Sequence, residues 1–176
     1  MIDQTEAALG TVGIEATRPS VPGFLGDEAE DAYNVVGSGE AWEVHRDLLE
    51  KHGELYNPTV KALIERGAGW TDARRRRAEE TRARVGEYLD ELFATHDYVV
   101  LPATVVPSPT FAQADASFRS RTLRLNAPAS LAGLPALTVP IHFDAVRSGG
   151  IQVVVPRGGE YRLKRFLETW RRTHSS

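Results

Sequence analysis

The sequence predicts an α/β chain in which a sheet of short buried strands is covered on its faces by helices. Three observations lead there. Segments with apolar residues at helical spacing alternate with short β-branched runs, the alternation that builds layered helix-and-sheet folds. Those runs, "YVVL", "ALTVPI" and "GGIQVVVP", are apolar at successive positions, as strands buried on both faces are. The connections carry Gly and Pro at helix ends and strand exits.

In chain order, "TEAALGTVGIEATRPSVPGF" reads as a helix end, a Gly-marked turn and a short strand near Ile14 to Arg18, ended by Pro19 and Pro22. Met1 thus enters in the middle of an αβ unit, and a long loop follows. From Glu40, the residues Ala41, Val44, His45, Leu48, Leu49 and His52 share one helical face. "NPTVKALIERG" is a second helix, with Asn57 as N-cap, Pro58 at the first helical position and Gly67 beyond the end. A long charged helix runs from about Asp72 to Thr95 with Val85, Leu89, Leu92 and Phe93 as its apolar stripe. It delivers the chain into the strand Tyr98 to Leu101.

Pro107 to Arg124 is polar and aperiodic and reads as a long loop. "NAPASLAGLPALTVP" then forms a short helix of small residues, from about Leu125 to Ala132, that permits close backbone approach. Gly133 supplies its left-handed cap, and Pro135 turns the chain into the next strand. The strand at "GGIQVVVP" and a last helix bearing Leu163, Phe166, Leu167 and Trp170 on one side complete the chain.

Composition narrows the function. The 176 residues are 41% hydrophobic and 26% charged, with formal net charge -3, which gives no overall attraction for nucleic acid or an anionic membrane. Between Asp72 and Thr95 six arginines face six carboxylates, with Arg75–Glu79, Arg76–Glu80 and Glu80–Arg84 at pairing distance along a helix. The Arg74 to Arg77 cluster therefore reads as a solvated helix face and not as a phosphate-binding patch. The chain has no cysteine, no N-terminal signal pattern and only strand-sized apolar runs, so a cytoplasmic protein without membrane spans is expected.

No catalytic or metal constellation emerges from the residues. His45 and His52 are seven apart, against the i,i+4 spacing of paired helical ligands, and read as packing histidines; no metal and no cofactor are expected. Ser38, between Gly37 and Gly39, lacks the G-x-S-x-G context of a nucleophile elbow and reads as a helix N-cap. There is no Walker A or dinucleotide glycine pattern.

The series of features has one specific likeness. "PASLAGLPALTVP", then "GGIQVVV", then "GGEYRLKRFLE" resembles the C-terminal portion of the amidase signature family. "HDYVVLPAT" resembles that family's Asp-led strand ending in Pro, and the helices before it resemble the preceding helical stretch, so the likeness runs over nearly the whole chain. Arg147 and Ser148 depart from the pattern, standing where members often carry Leu-Pro. The resemblance implies an α/β fold with a mixed central sheet covered by helices, of which residues 1–176 form the C-terminal portion of a single domain. It also implies amide hydrolysis by a Ser–cis-Ser–Lys triad, with backbone N–H groups of a Gly/Ser-rich loop as oxyanion hole.

In family members that machinery lies in the N-terminal half. This sequence has no Gly-Gly-Ser-Ser-Gly-type loop, and its lysines, Lys51, Lys61 and Lys164, fall on predicted surface helices. No catalytic residue is therefore assigned here. By resemblance the small-residue helix packs beside the nucleophile loop and lines the acyl side of the pocket, with Asn126 and Ser130 as its polar groups. The favoured expectation is a portion of an amidase supplying scaffold and pocket wall. It would be inactive alone, with a small-molecule amide as substrate and a complementary N-terminal portion as partner. The alternatives are a non-catalytic remnant or binding module on the same scaffold, and an unrelated small α/β domain.

Overall fold

The computed structural model describes residues 2–106, 109–142 and 147–174. Six helices and three strands are defined among them: α1 (Ile2–Thr11), α2 (Asp27–His52), α3 (Pro58–Arg66), α4 (Asp72–Phe93), β1 (Val99–Pro102), α5 (Ala116–Leu131), β2 (Ala136–His142), β3 (Ser148–Val154) and α6 (Glu160–His174). The strands form one sheet in the order β1-β3-β2, antiparallel at both junctions. The α/β class stands, while the part of the sheet carried by this chain contains no parallel pair among the described residues.

The sheet separates two cores because directly opposed residues share a face. Ile151 and Val153 of β3, with Val139 and Ile141 of β2, pack against Leu9 of α1 and Phe166 and Trp170 of α6. The rings of Phe166 and Trp170 stack at 5.6 Å, with Tyr98 against Phe166 at 5.8 Å. On the other face Val99, paired with the fully buried Val154, meets a helical core of α2, α4 and α5 that includes Val35, Val85, Leu89 and Leu131. β1 is half-buried along its length instead of buried on both faces, since only one of its edges is paired.

Several boundaries differ from the sequence reading. α1 ends as a Schellman motif: Gly13 is left-handed, Gly13 N–H bonds to Gly10 and Ile14 N–H to Leu9. Residues 14–18 that follow are not a strand, because no strand lies beside them among the described residues to complete a ladder. They are held by Arg18, whose guanidinium bridges Glu6 at 2.5 Å and Asp3 at 2.6 Å. The expected loop before Glu40 is helical from Asp27, with Asp27, Glu28 and Glu30 in the first turn, where carboxylates complement the helix dipole. Ser38 is accordingly no N-cap. It is buried inside α2, where its hydroxyl donates to the Asn34 carbonyl and accepts from Trp70 Nε1 at 2.8 Å. α5 likewise begins at Ala116, capped by the Asp115 carboxylate on Phe118 N–H, inside the segment read as a loop; residues 107 and 108 of that segment lie outside the described residues.

Among the described residues the arginines of α4 pair mainly with other elements, and only Arg82–Glu79 runs along the helix itself. Arg74 reaches Asp31 and Arg84 reaches Glu28 on α2, Arg82 pairs with Glu40 and Glu79, and Arg75 donates to the Gly67 and Trp70 carbonyls. α3 follows the prediction closely: Asn57 accepts from Thr59 N–H and Pro58 opens the helix. Gly67, however, is not there for a left-handed turn, since its φ is −60°. A Cβ there would lie 2.0 Å from the Ser38 carbonyl oxygen and 2.9 Å from Trp42 Cβ, so only glycine lets the end of α3 touch α2. Among the described residues no helix is long and apolar enough to cross a membrane.

Two outcomes follow from these contacts. Gly67→Ala should lower stability by about 2–3 kcal/mol, because backbone, not a flexible side chain, must move to admit the methyl; urea denaturation that shows a loss below about 0.5 kcal/mol would refute the close contact. The Arg18 clamp should respond to acid. Its hydrogen bonds hold the Asp3 and Glu6 carboxyls below their usual range. Depressed carboxyl pKa values mean the clamp contributes above the unfolded pKa and is lost as pH falls through the folded values. Amide exchange in residues 14–18, corrected for its intrinsic pH dependence, should therefore accelerate under acid in the wild type and be already fast in Arg18→Ala.

Candidate functional site

The small-residue joint sits where α5 ends against the sheet. Gly133 is left-handed, with φ 62°, its N–H bonds to Ser130 and Leu134 N–H bonds to Ala129, so the helix closes on a Schellman motif as the Gly-Leu-Pro joint predicts. Two cations complete that terminus: Arg82 Nε donates to the Leu131 carbonyl at 3.0 Å and Arg157 donates to the Ala132 carbonyl. Pro135 then hands the chain to β2, its carbonyl accepting from Val155 N–H at 3.1 Å.

The wall beside this joint is built by three elements. Gly150 of β3 lies under Ala103, the residue after β1: Ala103 N–H donates to the Gly150 carbonyl at 2.8 Å, and a Cβ on Gly150 would come within 3.1 Å of Thr138 and 3.2 Å of Ala103. Asn126 of α5 reaches across to the same residue, donating one amide hydrogen to the Ala103 carbonyl at 3.1 Å and the other to the Thr122 carbonyl at 2.9 Å. Thr122, Asn126 and Ser130 repeat at i, i+4 and i+8 and share a helix face. Asn126 is half-buried and Ser130 is exposed.

Two oxygen atoms on these elements are buried without a hydrogen-bond partner, Thr122 Oγ1 and Gln152 Oε1. Gln152 stands mid-sheet, between Leu101 of β1 and Thr138 of β2. A buried polar atom left unpaired costs about 1–3 kcal/mol, so the Thr122 hydroxyl and the Gln152 side-chain carbonyl are groups that a further partner would stabilise. A cavity of about 370 Å³ lies against α5, lined by Phe118, Arg119, Thr122 and Asn126 among others, but not by Ser130. A larger groove of about 760 Å³ follows the outer edge of β2 between α1 and α6, with Leu137, Val139, Ile141 and Trp170 in its lining. Neither Asn126 nor Ser130 reaches that groove.

The other candidates are dispersed. His45 is half-buried with Nδ1 2.9 Å from the Tyr56 hydroxyl, whereas His52 is exposed at the end of α2, so only the first is a packing histidine. Lys51 and Lys164 are exposed on α2 and α6, and Lys61 pairs with Glu65. No group of three or more His, Cys, Asp or Glu residues able to hold a metal occurs among the described residues. Sequence reading passed over Thr122 and Ala103. Asp115 as a cap and the i,i+4 spacing of Thr122 and Asn126 were the signals for the first; nothing in the sequence marks the backbone role of Ala103.

Comparison with known proteins gives the family and the fold. The pattern of the amidase family matches residues 25–163. The A-subunit of glutamyl-tRNA(Gln) amidotransferase from Halalkalibacterium halodurans is 28% identical over 158 residues, covering 83% of this chain and 30% of that protein. Its counterpart from Akkermansia muciniphila is 31% identical over 150 residues, 81% of this chain and 29% of the relative. The chain thus spans about 30% of the length of these relatives. The crystal structure of a bacterial aryl acylamidase of the amidase signature family shares the fold, with TM-score 0.71 over 98% of this chain and 40% of the other, at 13% identity.

Asn126 and Ser130 should separate in a stability series. Asn126→Ala removes both bonds that tie α5 to Ala103 and to its own preceding turn, and should cost about 1–3 kcal/mol. Ser130→Ala alters an exposed position and should stay within about 0.5 kcal/mol of wild type. Equal midpoints for the two variants in a thermal or urea melt would mean that Asn126 is no tie.

Proposed function

The chain belongs to the amidase family, and from that premise we propose that residues 1–176 act as the C-terminal portion of an amidase domain, supplying sheet scaffold and one wall of the pocket for an amide substrate. The observation that carries this reading is a pair of buried oxygens, Thr122 Oγ1 on the Asn126 face of α5 and Gln152 Oε1 in β3, that nothing among the described residues satisfies. Donors from a complementary N-terminal portion or from the substrate would complete it. The open outer edge of β2 and the unladdered residues 14–18 support the same reading, since each is a place where a further strand can pair.

In this proposal the chemistry is the family's: a serine attacks the amide carbonyl, a second serine bridges to a lysine, and the lysine accepts the proton. None of those three groups is assigned to this chain. What it contributes is shape and polarity on the acyl side. Asn126 has both amide hydrogens committed, so Oδ1 is the atom left to accept from a ligand, and exposed Ser130 offers a hydroxyl one turn further on. The amide is a small molecule by the size of such pockets.

The purified chain alone should hydrolyse no aryl amide and take no label from a serine-directed fluorophosphonate. Loss of even one member of a catalytic triad costs several orders of magnitude in rate, and pocket walls do not replace the covalent step. Adding a complementary N-terminal portion should restore turnover, and Asn126→Ala or Ser130→Ala should then change substrate preference more than they reduce rate. Stoichiometric labelling of a serine in the isolated chain, abolished by its replacement with Ala, would refute the proposal. Failure of any N-terminal portion to restore activity would favour a binding module on the amidase scaffold.

A further inference from the structure

Only one edge of the helical face read from the sequence of α2 packs inward. α2 buries Val35, Ser38, Gly39 and Leu49, whereas Val44 is 71% and Leu48 48% exposed. With Gly37, Glu40 and Lys51, all exposed, and half-buried Ala41 at its margin, these two residues form one face, at i, i+3, i+4, i+7, i+11 and i+14 from Gly37. Leu55, in the 3-10 turn just after the helix, is 77% exposed. It is held in place by the His45–Tyr56 hydrogen bond and edge-on ring contact, which fold that turn against α2.

We propose that this face binds a second copy of the chain, with the two α2 helices antiparallel about a two-fold axis at the level of Arg46. The face is complementary to its own reverse. In that register Val44 lies opposite the partner's Leu48, so the two exposed aliphatic residues cover each other twice about the axis. Glu40, 68% exposed beside Arg82 of its own chain, lies opposite the partner's His52 with the partner's Lys51 one position away, which sets acid against base at each end of the apolar centre. Gly37 lies opposite the partner's Leu55. A Cβ at Gly37 would meet no atom within 4 Å, so glycine is not required there by the monomer and leaves a bare stretch of helix on which Leu55 can sit. A symmetric contact of this kind needs each surface to match itself, and the order Gly, acid, aliphatic, aliphatic, base along α2, with Leu55 in the turn beyond, does so when antiparallel.

Sedimentation equilibrium of the purified chain over a range of concentrations tests the proposal. A monomer–dimer equilibrium is expected. Val44→Glu and Leu48→Glu should each weaken it by about tenfold or more, as charge in the centre of an interface does, with unchanged far-UV dichroism because both side chains already face solvent. Gly37→Leu, which adds a better helix former in open space, should keep the fold and also weaken the dimer. Glu40→Lys should weaken it and the double variant with Lys51→Glu should recover it. Because the chain has no cysteine, a mixture of Val44→Cys and Leu48→Cys chains should form an intermolecular disulfide faster than either alone. A monomer at every concentration would overturn the proposal. So would a dimer indifferent to Val44→Glu and Leu48→Glu, which would place association at the β2 edge instead.

Discussion

Everything in this fold depends on β3 being paired on both edges and buried on both faces. Its ladder joins β1 to β2, strands far apart in sequence, and its alternating side chains anchor two separate cores. Ile151 and Val153 hold α1 and α6, while Val154 backs the strand residue that meets α4 and α5. A one-residue slip in the pairing would set each of these residues against the wrong face of its neighbour, so register and core composition fix one another. The same strand holds Ala103 through the Gly150 carbonyl, and Ala103 in turn accepts from Asn126, so the position of α5's polar face is tied to the sheet.

Away from the sheet, stability rests on backbone proximity. The end of α3 touches α2 at Gly67, and around that contact Ser38, Trp70 and Arg75 satisfy one another's polar groups with the carbonyls of Asn34, Gly67 and Trp70. Such a junction has few large apolar groups and many short polar links. It stabilises by leaving no buried donor or acceptor unpaired, which is worth more than the net value of each bond. Thr122 Oγ1 and Gln152 Oε1 are the contrast, buried oxygens without a partner among the described residues, although the neighbouring Asn126 has both amide hydrogens bonded.

Strongly periodic or well-punctuated segments were legible in the sequence. α3, α4, α6, the three strands and the Gly133 cap lie close to where their patterns put them. The misses share a physical cause. The first half of α2 contains Gly37 and Gly39, read as loop residues, yet Gly39 is buried beside Arg75 and is helical by packing. The start of α5 was hidden by a polar stretch with no apolar stripe, and by Pro128, which suits a first helical turn but here lies within the helix. The arginine pairs were assigned along α4 because spacing shows only neighbours in sequence; their partners on α2 are a tertiary fact. Of the candidate wall, Asn126 and the Gly-x-Gln strand were visible through family likeness, whereas the Ala103 carbonyl that positions Asn126 is backbone and leaves no mark on the sequence.

The α2 face shows that a correct helical pattern does not by itself say which side is buried. Helical periodicity identifies a face, and burial must still be decided by what is opposite. In α2 two faces compete: one of small and medium residues, Ala29, Ala32, Val35, Ser38 and Gly39, and one bearing Val44 and Leu48. The first wins the intramolecular contact because small residues let α3, α4 and α5 approach at several points, and closeness brings many dispersion contacts at once. The larger aliphatic side chains, which would hold neighbours apart, are left on the outside. Close packing within the chain and an apolar face toward solvent are therefore one outcome, and the residues that exclude Val44 and Leu48 from the core are those that make them available to another surface.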